Sequence, residues 1–395
     1  MPKRRRILWF VVVAVGVVVV AGVIVATTDS GPAVTAADPG GANLWVSSAG
    51  GSCMRRAVRS SQTPSRDCRS LNAAYHRAHC GDIVDIDPGN YPVTQDIQDD
   101  PALDACTTPV VFQPAPGARV TLANVEAGNY GDVTTNGASW WTLRDVSLGN
   151  RLAVLPPAHN VTLDHIRGGS FYLNGVRDMR IENSTFGPCY SGRILTGECD
   201  NNSKVDSGYD SGGSAYTTTG VDIVDNTFHD YLNNGDTHFE CMFMVGGTDI
   251  TFNGNHFAHC QNYGIFIQPY SGQPYNKIVI ENNSFYKTRD DAGSTIYAVD
   301  FGGNGGNISN MLIRDNRFAP DEGVTEDGGP LVGTNDRVIG NVGGDYWYEP
   351  CIAGITYADN VWNGRPCSAT DKVMRRLPYV DAAVGDLRLQ SGASR

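Results

Sequence analysis

Several kinds of chemistry are missing from this chain of 395 residues. No Cys-x-x-Cys occurs among its ten cysteines, which removes the usual basis for a structural zinc site or thioredoxin-like redox work. There is no Walker-type phosphate loop; Gly302-Gly303-Asn304-Gly305-Gly306 reads as a flexible loop. No serine sits in a nucleophile elbow. Charge is sparse as well, at 18% of residues. Thirty Lys and Arg stand against 42 Asp and Glu, for a net charge of −12, so the basic face that nucleic acid needs is absent. A polyanionic ligand would also be repelled without a local basic patch or a cation. Calcium, held by carboxylates and backbone oxygens, is the cofactor that would resolve that conflict, although no ligand set for a metal stands out.

What is present begins with a basic tail at residues 1–6, including Lys3-Arg4-Arg5-Arg6. A run without charge follows from Ile7 to Ala26, about the length that spans a bilayer as a helix. The basic flank predicts a signal anchor over 7–26 with the remainder outside the membrane. Cleavage near Val34-Thr35-Ala36, which would leave a secreted protein, is the competing expectation. Residues 27–42 read as a flexible linker, and 43–395 as one domain.

Within that domain one phrase keeps returning: an aliphatic residue, any residue, a small polar residue, Asn, any residue, Phe. It reads Ile223-Val224-Asp225-Asn226-Thr227-Phe228, Phe252-Asn253-Gly254-Asn255-His256-Phe257, Ile280-Glu281-Asn282-Asn283-Ser284-Phe285 and Ile313-Arg314-Asp315-Asn316-Arg317-Phe318. Weaker copies lie at 181–186, with Ser184 in the Asn position, and at 357–362. Eroded ones lie at 143–148, 163–168 and 338–343. A repeat on this scale signals a solenoid. The apolar period inside each copy is two, as in Lys277-Ile278-Val279-Ile280, which predicts a half-buried strand. Asn suits the bend that follows, because it tolerates left-handed backbone and bonds locally. Stacked bends would form an Asn ladder, and each Phe would turn inward onto the next. Unequal repeat spacing assigns the segments 200–214 and 320–330 to loops of variable length. A β-sandwich of hairpins would not require such near-identical phrases.

The pattern resembles the right-handed parallel β-helix family, the fold of pectate lyases and many extracellular polysaccharide enzymes, over most of residues 43–365. The segment Gly81-Asp82-Ile83-Val84-Asp85-Ile86, with Gly89-Asn90-Tyr91 after it, is similar to the start of such helices. Leu71, Ala74, Tyr75 and Ala78 precede it at helical spacing, which predicts an N-terminal capping helix within 68–79 with Asp67 as N-cap. The fold expected is therefore all-β, a right-handed parallel β-helix solenoid with a capping helix, preceded by the transmembrane helix. The resemblance implies a polysaccharide as partner.

The cysteines are even in number and fall near one another in sequence: Cys53 with Cys68, Cys80 with Cys106, Cys189 with Cys199, Cys241 with Cys260, and Cys351 with Cys367. Such proximity suits disulfides in an oxidising compartment. Buried thiols are the alternative, above all at Cys241. The densest polar constellation is Asp236-Thr237-His238-Phe239-Glu240-Cys241. With Phe239, Cys241 and Phe243 inward, His238 and Glu240 would face out together. Neighbouring coils, about 4.8 Å away, would add Asn262, Gln268, Tyr297 and Asp300. Two functions follow. In one, His238 or Glu240 is a general acid or base with Asp300 as second carboxylate, in a lyase or glycosidase whose substrate is held by Asp236, Asn262, Gln268 and Tyr297. In the other, the groove binds glycan without turnover, or the rod is structural, and His238 with Glu240 is a hydrogen-bonded pair. The paired aspartates Asp99-Asp100 and Asp290-Asp291 read as solvated turns, as does Leu163-Asp164-His165, because the other motifs of polygalacturonases and pectate lyases are absent.

Overall fold

The computed structural model describes residues 41–393 apart from 57–63, 128–136, 192–198, 200–201, 208–215, 234–238, 269–272, 274, 287–296, 303–306, 321, 328–331 and 345–350. The expected signal anchor and cleavage segment therefore lie outside the described residues. Among the described residues no helix is long and apolar enough to cross a membrane.

Among the described residues the chain winds as a parallel β-helix with three large sheets, whose strands are counted over those residues. The first, of 14 strands, contains Trp141–Arg144, His159–Asp164, Arg177–Glu182, Thr219–Val224, Gly247–Asn253 and Tyr275–Glu281 in sequential order. The second has ten strands, among them Ser170–Asn174, Ser203–Asp206, Met242–Val245, Tyr263–Ile267 and Tyr297–Gly302. The third has nine, including Thr227–Asn233, His256–Cys260 and Ser284–Tyr286. One coil runs first sheet, tight bend, third sheet, second sheet, and back. An antiparallel pair, Tyr379–Asp381 with Asp386–Leu389, follows the last coil.

Every copy of the phrase, eroded ones included, sits in one register. Leu143, Leu163, Ile181, Ile223, Phe252, Ile280, Ile313, Val338 and Tyr357 are successive partners on the first sheet. The residue before each ladder Asn is left-handed, with φ of 54° at Asp225, 57° at Asn282 and 56° at Asp315, while Gly254 takes the same bend. Two residues on, the rings point inward and stack. Phe186, Phe228, Phe257, Phe285 and Phe318 have successive centroids 5.3, 5.0, 4.8 and 5.1 Å apart. Gly343 takes the next place, where a Cβ would lie 2.9 Å from both the Phe318 and Trp362 rings.

Three local expectations are corrected. The capping helix is short, Leu71–Tyr75, and its N-cap is Ser70, whose Oγ accepts from the Ala73 amide at 3.1 Å. Asp67 is instead buried and paired with Arg56. The segments assigned to loops carry strands, Ser203–Asp206 and Val324–Asp327, since each coil needs a second-sheet strand to close its core.

The cysteines pair as their proximity suggests. Cys53 is bonded to Cys68, Cys80 to Cys106, Cys189 to Cys199, Cys241 to Cys260, and Cys351 to Cys367. The alternative of buried free thiols is therefore corrected, at Cys241 and elsewhere. Burial and bonding nevertheless coincide: Cys68, Cys106, Cys199, Cys241 and Cys260 are all packed into the core as well as cross-linked.

The ladder can be weighed by substitution. The Asn283 amide is fully buried and donates to the Phe252 carbonyl at 2.9 Å and to Asn316 Oδ1 at 3.0 Å. Its own Oδ1 accepts from the backbone and side-chain nitrogens of Asn255 at 2.8 and 3.0 Å. Asn283→Ala strands several of these groups, and chemical denaturation should show a loss of roughly 2–4 kcal/mol. Gly343→Ala should cost about 1–3 kcal/mol by overpacking two rings. Wild-type stability in both variants would refute this account of the core.

Candidate functional site

Parallel register places one residue per coil in each vertical row of the second sheet. One row reads Glu126, Ala153, Tyr172, Lys204, Phe243, Phe266, Asp300. The next row, Val154, Leu173, Val205, Met244 and Ile267, is fully buried. Strand alternation then puts Tyr172, Lys204, Phe243 and Phe266 on the outer face.

These side chains touch one another along the stack. Phe243 and Phe266 are parallel with centroids 5.4 Å apart, and Tyr263 stacks on Phe266 at 4.8 Å. The Lys204 ammonium lies 5.3 Å from the Phe243 ring and 5.5 Å from that of Tyr172, close enough for attraction to both faces. It is also 2.8 Å from Asp206 Oδ2, which accepts the Tyr172 hydroxyl at 3.1 Å. Tyr263 and Phe266 are buried, whereas Phe243, Tyr172 and Lys204 are half-buried, so the stack reaches solvent at the Lys204 end.

The corner beside this stack is tied by Cys241–Cys260. Here the expected alternation slips by one. Phe239 and Cys241 are buried as expected, but so are Met242 and Met244, and Phe243 faces out. Glu240 does not face an open groove; it is 1% exposed, with Asn202 Nδ2 donating to its Oε2 at 2.7 Å. Burial pushes its carboxyl up to about 7, against the opposing pull of its own backbone amide and the Asn202 amide.

Asp236 and His238 lie outside the described residues, as do Asp290 and Asp291. Asp300 is the register partner of Phe266, and Tyr297 that of Tyr263. Asn262 is half-buried just before Tyr263. Gln268 contributes backbone, its N–H donating to the Met244 carbonyl at 3.0 Å and its carbonyl accepting the Tyr275 hydroxyl. Among the described residues no group of three or more His, Cys, Asp or Glu is arranged to hold a metal. Sequence reasoning missed Tyr172, Lys204, Asp206 and Phe266. The signal for two of them was the alternation Ser203-Lys204-Val205-Asp206, hidden in a segment assigned to a loop.

No family model matches the chain, and no curated protein matches it. Among solved structures, PfbA, a surface adhesin of Streptococcus pneumoniae, is similar with a TM-score of 0.52 at 12% identity, over 74% of this chain and 79% of that one. A second PfbA structure gives 0.48 at 13% identity, over 77% and 90%. The catalytic domain of a GH87 alpha-1,3-glucanase gives 0.46 at 14% identity, over 78% and 66%. The likeness to PfbA is one of fold, and it agrees with the right-handed parallel β-helix read from the repeats.

Glu240 makes stability depend on pH in a definite direction. Its folded value lies above the ordinary carboxylate range, so the contribution is full below about 4.5 and is lost as pH rises through about 7. Glu240→Gln should remove that loss and raise stability at pH 8 by roughly 3 kcal/mol, with little change at pH 4. Parallel stability–pH curves for the two proteins would show that Glu240 titrates in the folded protein as it does in the unfolded chain.

Proposed function

We propose that this protein works outside the cell and binds polysaccharide along the outer face of the second sheet. The observation that carries this reading is the in-register row Tyr172, Lys204, Phe243 and Phe266, rings and one ammonium in contact on successive coils. Flat aromatic faces suit the apolar faces of sugar rings, and Lys204, Asp206 and the Tyr172 hydroxyl offer donors and acceptors to hydroxyl groups. A row repeating at the strand spacing of about 4.8 Å suits an extended chain better than a small molecule. Five disulfides fit an oxidising, extracellular setting.

Glu240 favours a second reading, turnover, because a buried carboxyl holding its proton near neutral pH is suited to general-acid work. Binding is preferred over it because Glu240 is buried, 1% exposed, and does not lie on the outer face that carries the rings.

A panel of neutral and acidic polysaccharides, with and without calcium, tests both readings. Retention, reducing ends and unsaturated-product absorbance are measured together. Retention without product is expected, with Phe243→Ala weakening it about tenfold while the fold persists. Turnover abolished by Glu240→Gln would establish the enzymatic reading. No retention on any polymer, or retention indifferent to Phe243→Ala and Lys204→Gln together, would remove the second-sheet site.

A further inference from the structure

The outer face of the third sheet carries a cluster that the reading above does not use. His229 Nδ1 lies 2.8 Å from Asp230 Oδ2, and His259 Nδ1 lies 3.1 Å from Asp230 Oδ1. One carboxylate is thus held between two imidazoles on adjacent coils. Asp230 and His259 are both left-handed, with φ of 56° and 54°, so the same bend occurs on both coils. The partners Tyr231 and Cys260, one residue on, confirm their alignment. His256 sits on the second of these coils, with Nδ1 2.7 Å from Ser284 Oγ. The His259 and Tyr286 rings are 5.8 Å apart.

The neighbouring elements leave this cluster accessible. The C-terminal hairpin packs over Val342 and Val361 and reaches Tyr286, whose hydroxyl donates to the Ala383 carbonyl at 3.0 Å. The His229 and His259 side chains are 28% and 44% exposed. Of the charged groups around them, Arg317 continues the row Thr227, His256, Ser284 on the next coil. Thr185 and Tyr190 lie on the strands paired with the cluster's strand from the coil above. In the hairpin, Asp386 is bonded to Arg388, and Asp381 caps the turn at Ala383.

An ionised carboxylate only accepts, so both Nδ1 atoms carry hydrogen and each Nε2 is directed away from Asp230. Among the described residues no metal-holding group is found here; Nε2 atoms turned away from Asp230 suit proton uptake. With neutral imidazoles the cluster bears −1, from Asp230 alone. With His229 and His259 protonated it bears −1 + 2 = +1, with new Nε2–H donors on the side away from Asp230. We propose that this face is a second ligand site, for an oxyanion group (carboxylate or sulfate), occupied in acid and released toward neutral pH.

Two electrostatic shifts accompany that geometry. His256 is held below the ordinary histidine range by burial, then by the nearby His259 and His229. Burial would raise Asp230, but the hydrogen bonds from His229 and His259 outweigh it and hold it below the usual range. Both lowered values mean that the unliganded fold loses stability as pH falls, through the histidine range first and the carboxylate range later. A bound anion offsets the charge repulsion, and by reciprocity protons tighten the anion as much as the anion tightens the protons.

The test titrates sulfate, and separately polygalacturonate, into the protein at pH 5.5 and pH 8, reading affinity and thermal shift. Affinity at least about tenfold higher at pH 5.5 is expected for the probe that fits. Sulfate binding alone would identify a free anion as the ligand, and polygalacturonate alone a glycan carboxylate. His229→Gln with His259→Gln should abolish the pH dependence. Asp230→Asn, which removes the internal counter-charge, should tighten binding once the imidazoles are protonated while moving the pH dependence to lower pH, an effect opposite to any loss from misfolding. Affinity independent of pH, or binding lost in Lys204→Gln but intact in the double histidine variant, would overturn the proposal. The second outcome would assign the anion to the second sheet.

Discussion

A primary amide buried in an apolar core needs partners for its carbonyl and for its donors. In this chain six asparagines meet that need from one another. Asn226, Asn255, Asn283, Asn316, Asn341 and Asn360 each donate to the side-chain oxygen of the next ladder residue, and each side-chain oxygen accepts from the coil before. A second donor hydrogen goes to a carbonyl of the previous coil, as in Asn255 to Ile223 at 2.7 Å. Slipping one coil by one residue would break these bonds on both sides of the slip and turn its apolar residues outward. The ladder is thus the strongest specification of register in the molecule, and every vertical row inherits it.

The ladder's ends show the same constraint. Above it the equivalent positions are Val146 and Ile166, both buried and apolar, which need no partner. Ser184 makes the transition, its backbone amide donating to Asn226 Oδ1 and its hydroxyl to the Glu182 carbonyl. At the far end the last acceptor is Asp371, whose Oδ1 takes both the amide and the side chain of Asn360. An ionised carboxylate has no donor to pass on. Its Oδ2 instead accepts the backbone amides of Cys367 and Ser368, which belong to the closing loop. A stack that begins with an apolar residue and ends with a pure acceptor leaves no amide stranded at either end.

This division explains what the sequence made legible. The phrase of aliphatic, bend, Asn and Phe is dictated by the core, so its copies announce the coils even where Gly343 or Leu148 replaces the ring. The cysteine pairs were legible for a related reason, because neighbours in chain bend back within one or two coils. Orientation on the second sheet was not. Phe243 looks like a core residue beside Cys241, but the corner tied by Cys241–Cys260 shifts the frame, and Met242 and Met244 fill the interior. Lys204 and Asp206 were hidden because four residues of alternation are too few to distinguish a strand inside a polar segment. Ser70 displaced Asp67 as N-cap because Asp67 was already committed to Arg56.

The placement of the candidate site follows from where the fold admits variation. Between the first and third sheets the link is always the same short bend, Asp225-Asn226, Gly254-Asn255, Asn282-Asn283, Asp315-Asn316, Gly340-Asn341, Asp359-Asn360. Any insertion there would interrupt the amide ladder. The second sheet's strands are reached and left over stretches of unequal chain length: from Ser191 to Ser203 and from Asn233 to Met242 on one side, from Asp206 to Thr219 and from Ile267 to Tyr275 on the other. Side chains on the outer face of that sheet can therefore be changed, walled and approached without cost to the ladder, whereas the first sheet is bounded by the ladder along one edge. Function on such a scaffold lives in residues added to it. Here the face with the freest borders is also the one on which aromatic rings and an ammonium gather within a few coils.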